Sequence, residues 1–284
     1  MHDTMRVSML NPTEAILICP RNDEESLMIL KIADALSIPT LVSEQPHGAR
    51  LENEPDLLTR IMNIDADIRE LVIVETPGPR TEALLEKQGF TVHIIDHHRY
   101  DDLDRMQQLS SLEQFRALFS IDKEKLESLG FDDLLVRGVG AIDRGFLWEL
   151  DAEGMDAEEK KRAITFYQEL GNELGAKSQE SIDEAKRVWE SKEMIDGVLL
   201  LKSERGDLSI RNTLSYEVAY LYPKHPPQVV IVQGKRRMYV QESPKAKALH
   251  DHFGGYTFGR DACWGFLATS DRPLPPLPEV LDLL

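Results

Sequence analysis

Short apolar runs alternate with amphipathic stretches through the first half of the chain. The strand-like runs are residues 15–19, 40–42, 71–74 and 91–95, and the runs with helical spacing are residues 27–36 and 81–88. This alternation predicts a doubly wound, mostly parallel sheet with helices on both faces. Open α/β folds bind ligands at the carboxyl edge of the sheet, so the residues that follow each strand are the first candidates for chemistry.

The second half of the chain divides into two patterns. In residues 151–195 charged residues dominate and apolar ones recur at helical spacing without a strand-like run, which predicts connecting helices. Strand-like runs return at residues 198–201, 229–232 and 238–241. The proline-rich residues 273–278 are typical of an extended tail segment.

These patterns predict an α/β protein with two domains, which a chain of 284 residues is long enough to form. A sheet domain is expected over residues 1–150 and a helical connector over residues 151–195. A smaller α/β domain is expected over residues 196–284.

Composition narrows the classes of partner. The 33 Lys and Arg against 50 Asp and Glu give a formal net charge of -17, which argues against a protein that coats long nucleic acid but not against a pocket for a small anion. Cys19 and Cys263 are far apart and form no CxxC pattern, so neither a disulfide framework nor a structural zinc site is expected, and a reducing cytoplasm fits. Because no apolar run reaches the roughly 20 residues of a membrane span, we expect a soluble protein without a membrane partner.

The sequence Asp96-His97-His98 stands where the strand-like run 91–95 ends. Carboxylate and neutral imidazole are together the usual ligands of Mn²⁺, Fe²⁺ or Zn²⁺. The alternative is a loop without a metal-binding role, in which both histidines are solvated and Asp96 caps the next turn. The triplet alone does not decide between these two interpretations.

Acids follow other strands as well. Asp23 and Glu25 follow the first strand, where they can share a cation with the sulfur of Cys19, or simply cap and complement the next helix. Glu75 follows the strand at 71–74, and Asp143 lies in a loop-like context of small residues. A parallel sheet would bring such residues together at one edge, which favours a metal site.

With the triplet Asp96-His97-His98 and the Asp143 segment, the chain resembles the DHH phosphoesterase superfamily over about residues 15–270. In that family the first strand is followed by a His, an Asp four residues later and another Asp two further on. Cys19, Asp23 and Glu25 stand at those positions. Glu75 replaces the Asp that closes the next central strand.

The resemblance implies two divalent cations, commonly Mn²⁺, and a hydroxide that attacks phosphorus. The implied metal ligands are Cys19, Asp23, Glu25, Glu75, His97 and Asp143. In the same scheme Asp96 orients an imidazole and His98 contacts the phosphate or the charge of the transition state. The substituted positions imply a weaker or differently metallated site than the family pattern would give.

The family also has a smaller C-terminal domain with a glycine-rich substrate loop, which Phe253-Gly254-Gly255-Tyr256 resembles. Between residues 202 and 260 ten Lys and Arg face five Asp and Glu, which reverses the overall charge and suggests an anionic ligand. The expected substrate-binding residues are Gly254, Gly255, Tyr256, Arg236 and Arg260. The alternatives are a solvated basic hairpin and, for Phe258 and Trp264, burial in the core.

The sequence thus predicts a metal-dependent phosphoesterase that hydrolyses a small phosphorylated or nucleotide substrate, such as a short oligonucleotide or dinucleotide, in an interdomain cleft. One alternative is a non-catalytic nucleotide-binding or regulatory protein descended from such an enzyme. A third is a purely structural interaction protein, which the acidic surface favours. The substrate, the metal and the oligomeric state, including a homodimer, stay open.

Overall fold

The computed structural model describes residues 10–100, 102–175, 178–224 and 226–284. Within these ranges the chain forms two units. The first comprises the described residues up to Gly140 together with Phe166–Leu174, and the second comprises Ala141–Thr165 and Gly175–Leu284. The predicted domain limits at residues 150 and 195 stay predictions.

The sheet of the first unit has, among the described residues, four parallel strands in the order β2-β1-β3-β4. They are β1 (Ala15–Pro20), β2 (Thr40–Ser43), β3 (Glu70–Val74) and β4 (Thr91–Ile95). β1 is buried along its whole length, as expected for an inner strand of a parallel sheet that is covered on both faces. The prediction of a mostly parallel α/β sheet is confirmed.

Helices connect and follow these strands. They are α1 (Glu24–Ala35), α2 (Leu57–Ile64), α3 (Pro79–Lys87), α4 (Ser111–Leu118), α5 (Lys123–Ser128) and α6 (Asp133–Gly145), with short 3-10 turns at Pro12–Glu14 and Leu51–Asn53. α1 packs on β1 and β2, α2 on β2, and both α3 and α4 on β4. Capping boxes start α1 at Asp23 and α4 at Ser110, so both helices begin at defined residues.

Helix α6 corrects the expectation of a loop around Asp143. Val136, Val139 and Ile142 are buried at a spacing of three, which is the apolar stripe of a helix rather than a loop pattern. Gly140 of this helix allows close packing, because a Cβ at this position would lie 2.7 Å from Ser110 Oγ. Small residues therefore indicated a tight helix contact at this position.

The sheet of the second unit is mixed, with the order β5-β6-β7-β8-β10-β9 among the described residues. Its strands are β5 (Glu193–Ile195), β6 (Val198–Ser203), β7 (Gln228–Gln233), β8 (Arg237–Gln241), β9 (Tyr256–Phe258) and β10 (Cys263–Leu267). β6 and β7 are parallel, and the other neighbouring pairs are antiparallel. Leu199 and Leu201 belong to one apolar cluster and Val198 and Leu200 to another, so the sheet is buried on both faces.

The remaining helices are α7 (Glu149–Ala152), α8 (Ala157–Glu173), α9 (Gln179–Glu190), α10 (Arg211–Leu221), α11 (Ala246–Phe253) and α12 (Leu277–Leu283). Two expectations need correction here. Strand β5 lies in the segment expected to be helical only, and α12 continues from the proline-rich segment because Val280 has an apolar core to join. None of the described helices combines the length and the apolar character needed to cross a bilayer.

We predict that Gly140→Ala destabilises the chain by about 1–3 kcal/mol, because the added methyl group displaces the Ser110 side chain that caps α4. Ser110→Gly removes the obstructing oxygen and itself costs only a few tenths of a kcal/mol at a helix N-cap. Urea unfolding of both single variants and the double variant measures the coupling. An equal cost of Gly140→Ala with and without Ser110 would show that this contact is not the cause.

Candidate metal centre

The carboxyl edge of the first sheet collects the polar residues that follow its strands. β1, β3 and β4 are parallel, so their carboxyl ends lie at one edge. Asp96-His97-His98 directly follow β4, and Glu75 directly follows β3. Glu25 lies in the first turn of α1, the helix that follows β1. The parallel register therefore brings acids and imidazoles from three separate sequence segments to this edge.

Three side chains form a compact group of donor atoms. One oxygen each of Glu25 and Glu75 and one ring nitrogen of His97 all lie within 4.8 Å of one another. His97 Nε2 is 3.4 Å from Glu75 Oε1 and 3.8 Å from Glu25 Oε2. His98 extends the group, since its Nδ1 lies 3.7 Å from Glu75 Oε1.

The donor atoms of Glu25, Glu75 and His97 are shielded from water. Glu25 is fully buried, and the side chains of Glu75 and His97 are 8% and 9% exposed. Two carboxylates that share a buried site repel each other, and removing them from water is costly unless a positive charge lies between them. Carboxylate oxygens with one imidazole form a donor set suited to Mn²⁺, Fe²⁺ or Zn²⁺. These residues therefore fit a divalent cation.

The start of helix α4 holds both carboxylates. The backbone N–H of Leu112 donates to Glu25 Oε1 at 2.9 Å, and the hydroxyl of Ser111 donates to Glu75 Oε1 at 2.7 Å. Partial positive charge at a helix N-terminus favours such an arrangement. Ser111 and Leu112 were not predicted as site residues, although the Ser110–Glu113 capping box is a sequence signal for a helix start at this point.

The backbone of Glu75 is strained. Its φ of 45° lies in the left-handed region that non-glycine residues rarely occupy. The N–H of Glu75 still donates to the carbonyl of Ile95 at 2.9 Å, so pairing with β4 continues up to the residue where the chain turns. Strain of this kind concentrates at functional sites, where the surrounding structure holds the residue in place.

Asp96 orients the neighbouring ring of His98. Its Oδ1 accepts from the backbone N–H of His98 at 2.9 Å and lies 3.3 Å from His98 Nδ1, while Tyr100 donates to Oδ2 at 2.9 Å. Burial, followed by the charge of Asp96, raises the pKa of Tyr100, which keeps its hydroxyl a donor. The His98 side chain is 47% exposed and is accessible to a ligand. Tyr100 is a supporting residue that the strand-end pattern did not indicate.

Cys19 and Asp23 lie outside the groups of donor atoms found in the described part of the chain. Asp23 caps α1, where its Oδ1 accepts from the N–H of Ser26 at 2.8 Å and from the Ser26 hydroxyl at 2.5 Å. The Cys19 thiol is buried, and burial together with the charges of Asp23, Glu75 and Glu25 raises its pKa well above the usual value. Their roles as ligands, like that of Asp143 on α6, stay predictions.

The glycine-rich loop of the second unit has a conformation that requires its glycines. Gly254 and Gly255 have φ values of 72° and 93°, and a Cβ at Gly255 would lie 2.3 Å from the carbonyl oxygen of Gly265. Trp264 is fully buried and donates from Nε1 to the Gly254 carbonyl at 2.7 Å, so this tryptophan is a core residue. Tyr256 is 38% exposed and is accessible to a ligand.

The two arginines predicted to bind substrate lie in different surroundings. Arg260 forms an ion pair with Glu149 at 2.8 Å, although its side chain is half exposed. Arg236 lies in the turn between β7 and β8, where its side chain packs against Gly206. Neither contact tests a substrate role, which stays a prediction for both residues.

Neither a protein family nor a curated protein matches this chain. Among solved structures, exonuclease RecJ bound to manganese is 12% identical over 90% of this chain and 86% of that chain, with a TM-score of 0.37. PggH, a pGpG-specific phosphodiesterase from Vibrio cholerae, is 10% identical over 90% and 94%, with a TM-score of 0.42. An uncharacterized protein from Helicobacter pylori G27 is 10% identical over 95% and 97%, with a TM-score of 0.33.

Ser111→Ala should weaken divalent-metal binding by about tenfold or more, because the hydroxyl that orients Glu75 is lost while every donor atom of the group remains. Ser128→Ala is the matched control, since Ser128 is exposed and its hydroxyl donates to the carbonyl of Lys125 within α5. Calorimetric titration of both variants with Mn²⁺ gives the comparison. Equal affinities in the two variants would exclude the orienting role of Ser111.

Proposed function

We propose that this chain is a metal-dependent phosphoesterase that holds its cation through Glu25, Glu75 and His97. The observation that carries the proposal is the convergence of two buried carboxylates and one imidazole at the carboxyl edge of a parallel sheet. A purely structural cluster gains little from burying two acids side by side. A cation gives the arrangement a stabilising partner and a chemical use.

The chemistry supplied by a divalent ion in such a site is polarisation of a phosphoryl oxygen and a lower pKa for water. The protein residues supply position and charge. His98 contacts the phosphoryl group from the exposed side of the cluster, and Asp96 and Tyr100 fix the orientation of its ring. This division of roles follows from exposure, since Asp96 is buried and His98 is not.

The proposed substrate is a small phosphodiester, such as a dinucleotide or a short oligonucleotide. The net charge of -17 supports a small substrate, because a long nucleic acid would be repelled over most of the protein surface. The local excess of Lys and Arg between residues 202 and 260 supports an anionic one. Gly254, Gly255 and Tyr256 are proposed to contact it, with Arg236 and Arg260.

The proposal includes a second, weaker cation. Its ligands would be Asp23 and Cys19. Asp143 is assigned to the metal centre from the sequence pattern. Asp23 already accepts two hydrogen bonds as a helix cap. Cys19 must lose a proton that its surroundings retain before the sulfur can bind a metal. Both conditions weaken this position relative to the Glu25, Glu75 and His97 group.

Glu75→Gln and His97→Ala should each reduce Mn²⁺ affinity by about a hundredfold and abolish phosphodiester hydrolysis, because the first removes the charge of a carboxylate ligand and the second removes an imidazole donor. Glu70→Gln and His93→Ala are matched controls, since these residues form a similar pair, 2.7 Å apart, within β3 and β4. Calorimetry with Mn²⁺ and hydrolysis of a dinucleotide are the measurements. If the control pair and the site pair behave alike, the ligand assignment is wrong.

A wild-type chain that binds Mn²⁺ but hydrolyses no phosphodiester would favour the alternative of a nucleotide-binding or regulatory protein. A chain that binds neither Mn²⁺ nor a nucleotide would leave only a structural role. These outcomes separate the three function classes in one set of measurements.

Asp23→Ser should leave the stability of α1 within a few tenths of a kcal/mol, because serine is also a good N-cap, while removing the weaker of two Mn²⁺ binding steps. Cys19→His should strengthen that same step by supplying an imidazole donor. Calorimetric titration resolves the two steps. If both Mn²⁺ binding steps are unchanged in Asp23→Ser, then Asp23 acts only as the cap of α1.

A further inference from the structure

We infer that Arg50 of the first unit binds a phosphate group of the substrate beside the metal centre, and that Asp102 occupies this arginine until the substrate displaces it. The inference deepens the proposed function and rests on it for the identity of the anion. Its structural basis is the placement of the Arg50 side chain, which is separate from the donor atoms that hold the cation.

The segment that follows β2 lies at the same edge of the sheet as the metal centre. β2 is parallel to β1, so residues 44–56 leave the sheet at its carboxyl edge. The Gln45 side chain accepts from the N–H of Arg50 at 3.1 Å and donates to its carbonyl at 3.0 Å. The N–H of Leu51 donates to the carbonyl of Pro77 at 3.3 Å, in the turn that follows β3. Arg50 therefore has a fixed backbone position near the site.

An aromatic ring of the site holds the Arg50 side chain. Its guanidinium carbon lies 4.9 Å from the ring centre of Tyr100, which is a cation–π contact. The same Tyr100 donates to Asp96 at 2.9 Å, and its ring centre is 6.1 Å from that of His98. Burial and the charge of Asp96 raise the pKa of Tyr100 while the charge of Arg50 opposes the rise, so both charges act on this phenol. Arg50 is thus close to the exposed histidine that is proposed to contact the phosphoryl group.

The acidic partner of Arg50 can be exchanged for another anion. Arg50 Nη2 donates to Asp102 Oδ1 at 2.8 Å, and the Asp102 side chain is 69% exposed. An ion pair with such an exposed acid contributes little to stability, because water competes for both charges. Arg105, by contrast, pairs with Glu82 at 2.6 Å, and both of those side chains are mostly buried. A phosphate group offers two acceptor oxygens to the planar guanidinium and can take the place of Asp102.

The charge of the metal centre gives this arginine a use. Three carboxylates with little or no exposure lie there, those of Glu25, Glu75 and Asp96. Their combined negative charge exceeds the positive charge of one divalent cation, so an anionic substrate would meet a net repulsion from these groups. A guanidinium beside them supplies the additional positive charge. We therefore assign Arg50 to substrate binding at the exposed side of the site.

The test measures binding of the phosphorylated dinucleotide pApA to the full chain by calorimetry, in EDTA and at low ionic strength, so that neither metal nor hydrolysis contributes. Arg50→Gln should weaken binding by about tenfold or more, because a charged hydrogen-bond donor is lost. Asp102→Asn should strengthen binding by about threefold or more, because the competing carboxylate is lost. In the Arg50→Gln background Asp102→Asn should have no such effect. Arg69→Gln is the matched control, since the Arg69 guanidinium also lies over a ring, 5.4 Å from the centre of Phe90, but at the amino end of β3.

Asp102 is exposed, so its replacement tests the inference even if Arg50→Gln disturbs the fold. The inference is overturned if the wild-type chain does not bind pApA, if Arg50→Gln binds it with wild-type affinity, or if Asp102→Asn does not strengthen binding. Mn²⁺ binding and hydrolysis of pApA are measured separately. A chain that binds pApA through Arg50 but fails in those two measurements refutes the proposed function and leaves the role of Arg50 in place.

Discussion

The architecture of the first unit depends on how it accommodates the buried carboxylates of Glu25 and Glu75. Glu25 and Glu75 come from segments fifty residues apart, and the parallel sheet brings them to one edge together with His97. The cost of burying these acids is offset locally by the donors at the start of α4. The left-handed turn at Glu75 serves this arrangement. The sheet edge, the turn at Glu75 and the start of α4 therefore together hold the acidic group in place.

The second unit handles charge differently. Arg144 and Arg260 pair with acids, whereas Arg211 is surrounded by aromatic rings. Rings hold a guanidinium by its face and leave its edge available for hydrogen bonds, which a carboxylate partner would occupy. The first unit thus has a buried acidic centre that suits a cation, and the second unit has a guanidinium held by aromatic rings.

Much of the first unit could be predicted from the sequence, because parallel strands are nearly continuous apolar runs and the residues after them share one edge. This logic identified Glu75 and His97 correctly as neighbours. It did not identify Ser111 or Tyr100, because a supporting hydrogen bond has no spacing pattern of its own. Arg50 was missed for a similar reason, since the ring and the carboxylate that hold it are distant in sequence. The helical character of the Asp143 segment was missed because its glycines resemble loop residues, although they permit close helix packing.

The amide of Leu112 has a consequence for dynamics. It belongs to the first turn of α4 and is at the same time bound to Glu25, so any event that repels or withdraws that carboxylate also releases the beginning of a helix. The hydroxyl of Ser111 adds a second connection of the same kind through Glu75. Occupancy of the acidic cluster and the fraying of α4 are thereby thermodynamically linked. The hydrogen-exchange rate of the Leu112 amide therefore reports whether a cation occupies the group of Glu25, Glu75 and His97.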